Sequence, residues 1–171
     1  MLRLVKTSMD QEAKVIDFLK EWWERGETIV PNAVDRDASD FSSYVKQIRD
    51  KEVRVNNVSW VPSTTYWLTD GEELLGAANI RHELNDNLIN FGGHIGYGIK
   101  PSARGRGLAT KQLELALEKA KELGIERALI TCDRTNVASR QVILNNGGVP
   151  DTPFMEGSGK VVERFWIELK G

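Results

Sequence analysis

The chain has 171 residues, enough for one domain with a sizeable core and no need of disulfide staples. Its 23 Lys and Arg against 25 Asp and Glu leave a formal net charge of -2, which argues against a protein that binds nucleic acid or a membrane surface through its overall charge. A single cysteine, Cys132, rules out an internal disulfide. With no signal-peptide pattern at the start and no apolar run near the roughly 18 residues of a membrane span, a cytoplasmic setting is expected.

In chain order, residues 2–7 alternate and predict a first strand. Ser8 is placed to cap a helix over residues 8–27, where Val15, Phe18, Leu19, Trp22 and Trp23 recur at helical spacing. A weaker helix covers residues 35–52, with Phe41, Val45 and Ile48 on one face, and residues 53–65 read as a loop. Within residues 65–84 two apolar runs flank Asp70-Gly71, the pattern of a β-hairpin. Residues 90–100, NFGGHIGYGIK, read as a strand with a surprising number of glycines. A helix is expected over residues 107–124, with an apolar stripe of Leu113, Ala116, Leu117, Ala120 and Leu123 and a stop at Gly124. Residues 127–132 are continuously apolar, as in a buried parallel strand. Asn136 can cap a short helix that ends at Gly147, and residues 162–170 alternate as a last strand that could pair or pack across a homodimer. Strand, helix and buried strand in succession make a βαβ unit inside a mixed sheet, so residues 1–171 read as one α/β domain of the α+β kind.

The glycine strand and the turn after it carry the chemistry. By alternation His94, Gly96 and Gly98 share one face and Ile95, Tyr97 and Ile99 the other, which would leave the glycine face an open floor or a site of close packing. Next comes ARGRGLAT, which opens the following helix with Arg104 and Arg106. Basic residues oppose the positive pole of a helix dipole, unless an anion sits between them and the backbone amides. Glycines between a strand and a helix let those amides converge on a phosphate, so a pyrophosphate site is expected here. Neither a GxxxxGK[ST] run nor a GxGxxG with an acidic ribose partner is present.

The hexapeptide Arg104-Gly105-Arg106-Gly107-Leu108-Ala109 resembles the Arg/Gln-x-x-Gly-x-Gly/Ala signature of the GNAT family of N-acetyltransferases. The resemblance extends from residue 66 to residue 149, taking in the upstream hairpin and NVASRQVILNNGG, which looks like the family's Asn-x-x-Ala/Ser helix. It implies the GNAT fold: a mixed, mostly antiparallel central sheet with a splayed parallel pair and helices on both faces. Acetyl-CoA is implied as acyl donor, and an amine of a small molecule or protein as acceptor. Carried over position by position, Arg104, Gly105, Arg106, Gly107, Leu108 and Ala109, with Thr110 nearby, would hold the pyrophosphate. Ile99 and Lys100 would pair their backbone with the pantetheine arm in the splay, and Asn136 would face that arm.

Two departures stand out. The position of the family's Tyr acid is Ile143, and no carboxylate lies near Gly93-His94, where many members carry a Glu. His94 is therefore the candidate base, against a hydrogen-bonded structural role, and Tyr97 the candidate acid, if its face of the strand allows. A non-catalytic CoA-binding domain on the same fold is the alternative. Arg81-His82-Glu83 reads as a solvated strand end or as part of an acceptor pocket, and Trp22, Trp23, Trp60, Tyr66 and Trp67 as packing or pocket. Two histidines twelve apart and one cysteine give no metal-ligand spacing, so no metal is expected.

Overall fold

Trp67 and Ala77 turn to one face of the central hairpin, Tyr66 and Ala78 to the other, and each face buries its own set of helices. The computed structural model describes residues 1–169. Its elements are β1 (Arg3–Lys6), α1 (Glu12–Glu24), α2 (Phe41–Asp50), β2 (Ser63–Thr69), β3 (Leu74–Arg81), α3 (Asp86–Asn90), β4 (Ile95–Ile99), α4 (Leu108–Glu122), β5 (Arg127–Asp133), α5 (Val137–Asn145), β6 (Val149–Met155) and β7 (Val161–Glu168). They form two antiparallel sheets, in the orders β1-β2-β3-β4 and β5-β7-β6. The expected α/β architecture, with helices on both faces, is present.

The first face packs α1 and α2 against the hairpin. Val15, Phe18, Leu19 and Trp22 of α1 and Phe41, Tyr44 and Ile48 of α2 bury against Trp67, Leu74 and Ala77. Trp23, expected in the α1 stripe, is instead exposed on its outer side. Ser8 does open this region: its amide donates to Gln11 Oε1 at 3.0 Å, and a short 3-10 turn precedes α1 proper.

On the second face α4 lays Leu113, Ala116, Leu117 and Ala120 against Ala78, Ile80 and Ile95 of the first sheet and Ala128, Ile130, Phe165 and Ile167 of the second. A single helix thus bridges both sheets, which is why its apolar stripe is so regular. Leu123 falls after the last turn and is partly exposed, while Gly124 takes the left-handed conformation that ends the helix.

Two elements went unforeseen. α3 has only five residues and no periodicity to read; Asn85 caps it, accepting from the Leu88 amide at 2.9 Å. β6 contains Pro150 and Pro153, which argue against a central strand but suit an edge, and a bulge lies between Asp151 and Phe154. β7 consequently runs between β5 and β6 with both edges paired inside the chain, so strand pairing across a dimer does not run through it. Lys170, the expected end of that strand, lies outside the described residues.

Candidate active site

No ladder joins β4 to β5. The segment leading into β4 is clamped to β5: the His94 amide donates to the Leu129 carbonyl at 2.7 Å, the Leu129 amide donates to His94 Nδ1 at 2.9 Å, and the Gly92 amide donates to Thr131 Oγ1 at 3.1 Å. Beyond the clamp the strands part, so the predicted splay is present.

The register of β3 and β4 fixes what the splay presents. Arg81 donates its amide to the His94 carbonyl and Lys100 its amide to the Leu75 carbonyl. In an antiparallel pair the inward-bonded residues alternate. Gly96 and Gly98 therefore face β3, while Ile95, Tyr97 and Ile99 turn their N–H and C=O groups toward the gap. Of the two positions expected to offer backbone there, Ile99 faces the gap, its carbonyl accepting from Arg104 Nε, and Lys100 faces β3. The Lys100 side chain is buried as well, paired with Glu73 and lying 3.9 Å from Glu21.

The glycine face is not an open floor. A Cβ on Gly98 would collide with the Val30 carbonyl oxygen, and one on Gly96 would sit 3.3 Å from the Arg81 guanidinium. Glycine here lets the segment around Val30 lie directly on β4. Tyr97, on the other face, enters the gap: its hydroxyl is 3.1 Å from Ser139 Oγ on α5, and burial pushes its pKa up to about 12. At neutral pH it is a protonated donor held in the splay. Asn136 caps α5 by accepting from the Ser139 amide at 3.0 Å and lines the same space. Ile143, one turn beyond Ser139, is fully buried and supplies no polar group.

His94 lies at the closed end of the gap. It is buried, its Nδ1 already accepts a hydrogen bond, and burial with the nearby Arg81 charge lowers its pKa to about 4. It does not line the cavities that open around Tyr97.

After β4 the chain makes a short 3-10 turn at Pro101–Ala103 and enters α4 through two left-handed glycines, Gly105 (φ 78°) and Gly107 (φ 73°). Among the described residues no amide from Gly105 through Thr110 has a hydrogen-bond acceptor; the first intrahelical bond is Lys111 N to the Gly107 carbonyl. Some free N–H groups are normal at a helix start, but this run gathers them at the positive helix pole, the arrangement expected of an anion-binding nest. The two arginines divide the work. Arg104 makes a bidentate pair with Glu27 at 2.8 and 3.2 Å, donates Nε to the Ile99 carbonyl at 3.4 Å and stacks over Trp22 at 5.1 Å. Its side chain, expected on the pyrophosphate, is committed to the wall of the gap. Arg106 is exposed and makes no ion pair among the described residues, so it alone is free to meet an anion.

Two cavities lie along the splay and a third adjoins them. One of about 520 Å³ is walled by Trp22, Val30, Tyr97, Arg104, Ala109 and Asn136. It shares Val30, Tyr97, Asn136 and Ser139 with a middle one of about 280 Å³, which shares Asn32 and Arg81 with a third of about 390 Å³ beneath α2. The only carboxylate lining any of the three is Glu27, which Arg104 holds below its ordinary pKa through hydrogen bonds. Sequence reasoning missed the third cavity except for Arg81 and Trp60.

An acetyltransferase (GNAT) domain model matches residues 2–149, most of the chain, and the protein belongs to that family. Among solved structures, the microcin C7 self-immunity acetyltransferase MccE in complex with acetyl-CoA and AMP is 13% identical, covers 98% of this chain and 92% of that one, and superposes with a TM-score of 0.70. RimJ of Mycobacterium smegmatis in complex with CoA-disulfide gives 17%, 98%, 81% and 0.69, respectively. The acetyltransferase yncA of Salmonella typhimurium with acetyl-CoA gives 12%, 99%, 94% and 0.66. At these identities the likeness is one of fold. No curated protein matches the sequence significantly. Among the described residues no helix is long and apolar enough to cross a membrane.

Proposed function

We propose that the protein is an acetyl-CoA-dependent N-acetyltransferase acting on a primary amine of a small molecule or protein. The observation that carries this reading is the meeting of an open strand edge at Ile95, Tyr97 and Ile99 with the unbonded amides of Gly105–Thr110. A pyrophosphate fits the second and an amide-bearing arm the first, as in strand addition. Acetyl-CoA would supply a thioester, whose carbonyl carbon accepts the amine.

The residues around the splay then have definite tasks. Edge N–H groups face the carbonyl oxygen as it gains charge. As the C–N bond forms and the C–S bond breaks, Tyr97 donates a proton to the departing sulfur and regains one as the nitrogen, now an amide, sheds its extra proton through solvent. A thiol's pKa near about 8.5 makes that help modest, so Ile143 in place of a tyrosine does not remove the chemistry. No free carboxylate and no histidine lines the gap, so the amine binds as the free base, its proton having gone to solvent. His94 is then a clamp between the two sheets rather than the base.

The test is thiol release from acetyl-CoA across a panel of amines. Its kcat/KM should rise about tenfold per pH unit up to the acceptor's own pKa, with no inflection from an enzyme base between pH 6 and 8. Such an inflection would remove the free-base mechanism. The absence of a carboxylate also supports a non-catalytic CoA-binding domain, for which acetyl-CoA would bind and no amine would release thiol.

A further inference from the structure

The acceptor's chemistry can be narrowed from the cavity beneath α2, an inference that rests on the acetyltransferase reading. Arg36, Lys51 and Arg81 line it together with amide and hydroxyl side chains such as Asn32, Asn79 and Ser63, and neither Asp nor Glu contributes. Among the described residues six other arginines pair with carboxylates, Arg104 with Glu27, Arg134 with Glu163 and Arg164 with Asp151 among them, and the four that do not, Arg3, Arg25, Arg106 and Arg140, are exposed. The cavity's three cations have no carboxylate partner among the described residues. Arg36 donates to the Ala33 carbonyl and to Gln47 Oε1, Lys51 lies 3.8 Å over the Trp60 ring, and Arg81 donates to the Gly92 carbonyl at 3.1 Å. Burial lowers the pKa of Arg81, the expected response of a cation removed from water without a counter-charge. Arg81 also lines the middle cavity beside Tyr97, so it stands where the acceptor space opens into the splay.

We propose that the acceptor is a small amine that also carries an acidic group, a carboxylate or a phosphate. The acid is held by Arg36, Lys51 and Arg81, and the amine extends past Arg81 toward Tyr97. Bidentate arginine contacts suit both acids, and like charge disfavours polyamines and aminoglycosides.

Matched pairs test this: leucine and leucinamide, 4-aminobutyrate and its amide, phosphoethanolamine and ethanolamine, with spermidine and kanamycin as cationic controls. Thiol release should favour the acid of at least one pair by about tenfold or more in kcat/KM. Whether the carboxylates or phosphoethanolamine lead tells which acid the site takes. Arg36→Gln and Lys51→Gln should each erode the preference through KM with kcat little changed. The same acids should raise the thermal midpoint without acetyl-CoA, a rise lost in both variants. That second measurement separates the two claims. Acid binding without thiol release or an acetyl-CoA shift would count against the acetyltransferase reading and still support the anion site. Amides or spermidine turned over as well as the acids, or no acid either bound or acetylated, would overturn the anion site.

Discussion

The turn that enters α4 and the cavity beneath α2 are built in opposite ways. From Gly105 to Thr110 the turn offers backbone: consecutive amides, small side chains, two glycines in left-handed conformation, and one free arginine. The cavity offers side chains drawn from the segment before α2, the end of α2, the loop at Trp60, and the far end of β3. On the proposed reading, the backbone site recognises what every user of one cosubstrate has in common, a phosphate. A side-chain site can be re-cut for each acceptor without disturbing it. The first should tolerate changes of side chain and fail on changes of backbone space; the second should do the reverse.

Gly107→Trp is the sharpest way to break that comparison. A Cβ there meets nothing within 4 Å, so the indole would project into open space over the amide nest and strain a positive φ. Acetyl-CoA affinity measured by titration calorimetry should fall by about 100-fold or more, while acid probes still raise the thermal midpoint. Gly98→Ala comes next. Its Cβ would collide with the Val30 carbonyl, and denaturant unfolding should show a loss of about 1–3 kcal/mol from overpacking. Tyr97→Phe removes the donor beside Ser139. Single-turnover rates should drop by about tenfold, with acetyl-CoA affinity retained.

His94→Gln has the smallest effect and the most specific signature. The folded pKa of His94 lies near 4, below its ordinary 6.5, so the folded protein binds fewer protons than the unfolded chain between those values. Its contribution to stability is present above pH 6.5 and is lost as the pH falls toward 4. The variant should keep the clamp in part, since a glutamine carbonyl can accept from the Leu129 amide. Stability curves should therefore converge with the wild type in acid, and the pH–rate profile near neutrality should not change.

How far the sequence could be read follows the same division. Gly105 and Gly107 sit beside the helix they open, and the stripe of α4 repeats at its own period, so contiguous residues announce the turn and the helix. The cavity's cations lie far apart in the chain, and nothing local marks Arg36 or Lys51 as facing Arg81. Arg104 misled because its partner, Glu27, comes from the other end of the sequence. The glycines of β4 left an open floor and close packing as alternatives, and the body packed on them is not a helix but the segment at Val30. α3 and β6 were illegible for a simpler reason, being too short or too rich in proline to show a period.

Acetyl-CoA titrated into the wild type, Gly107→Trp and Lys51→Gln tests the central claim most directly. The account expects one saturable site per chain, lost in Gly107→Trp and intact in Lys51→Gln. Absence of binding to the wild type, or binding that survives Gly107→Trp in a folded protein, would contradict it.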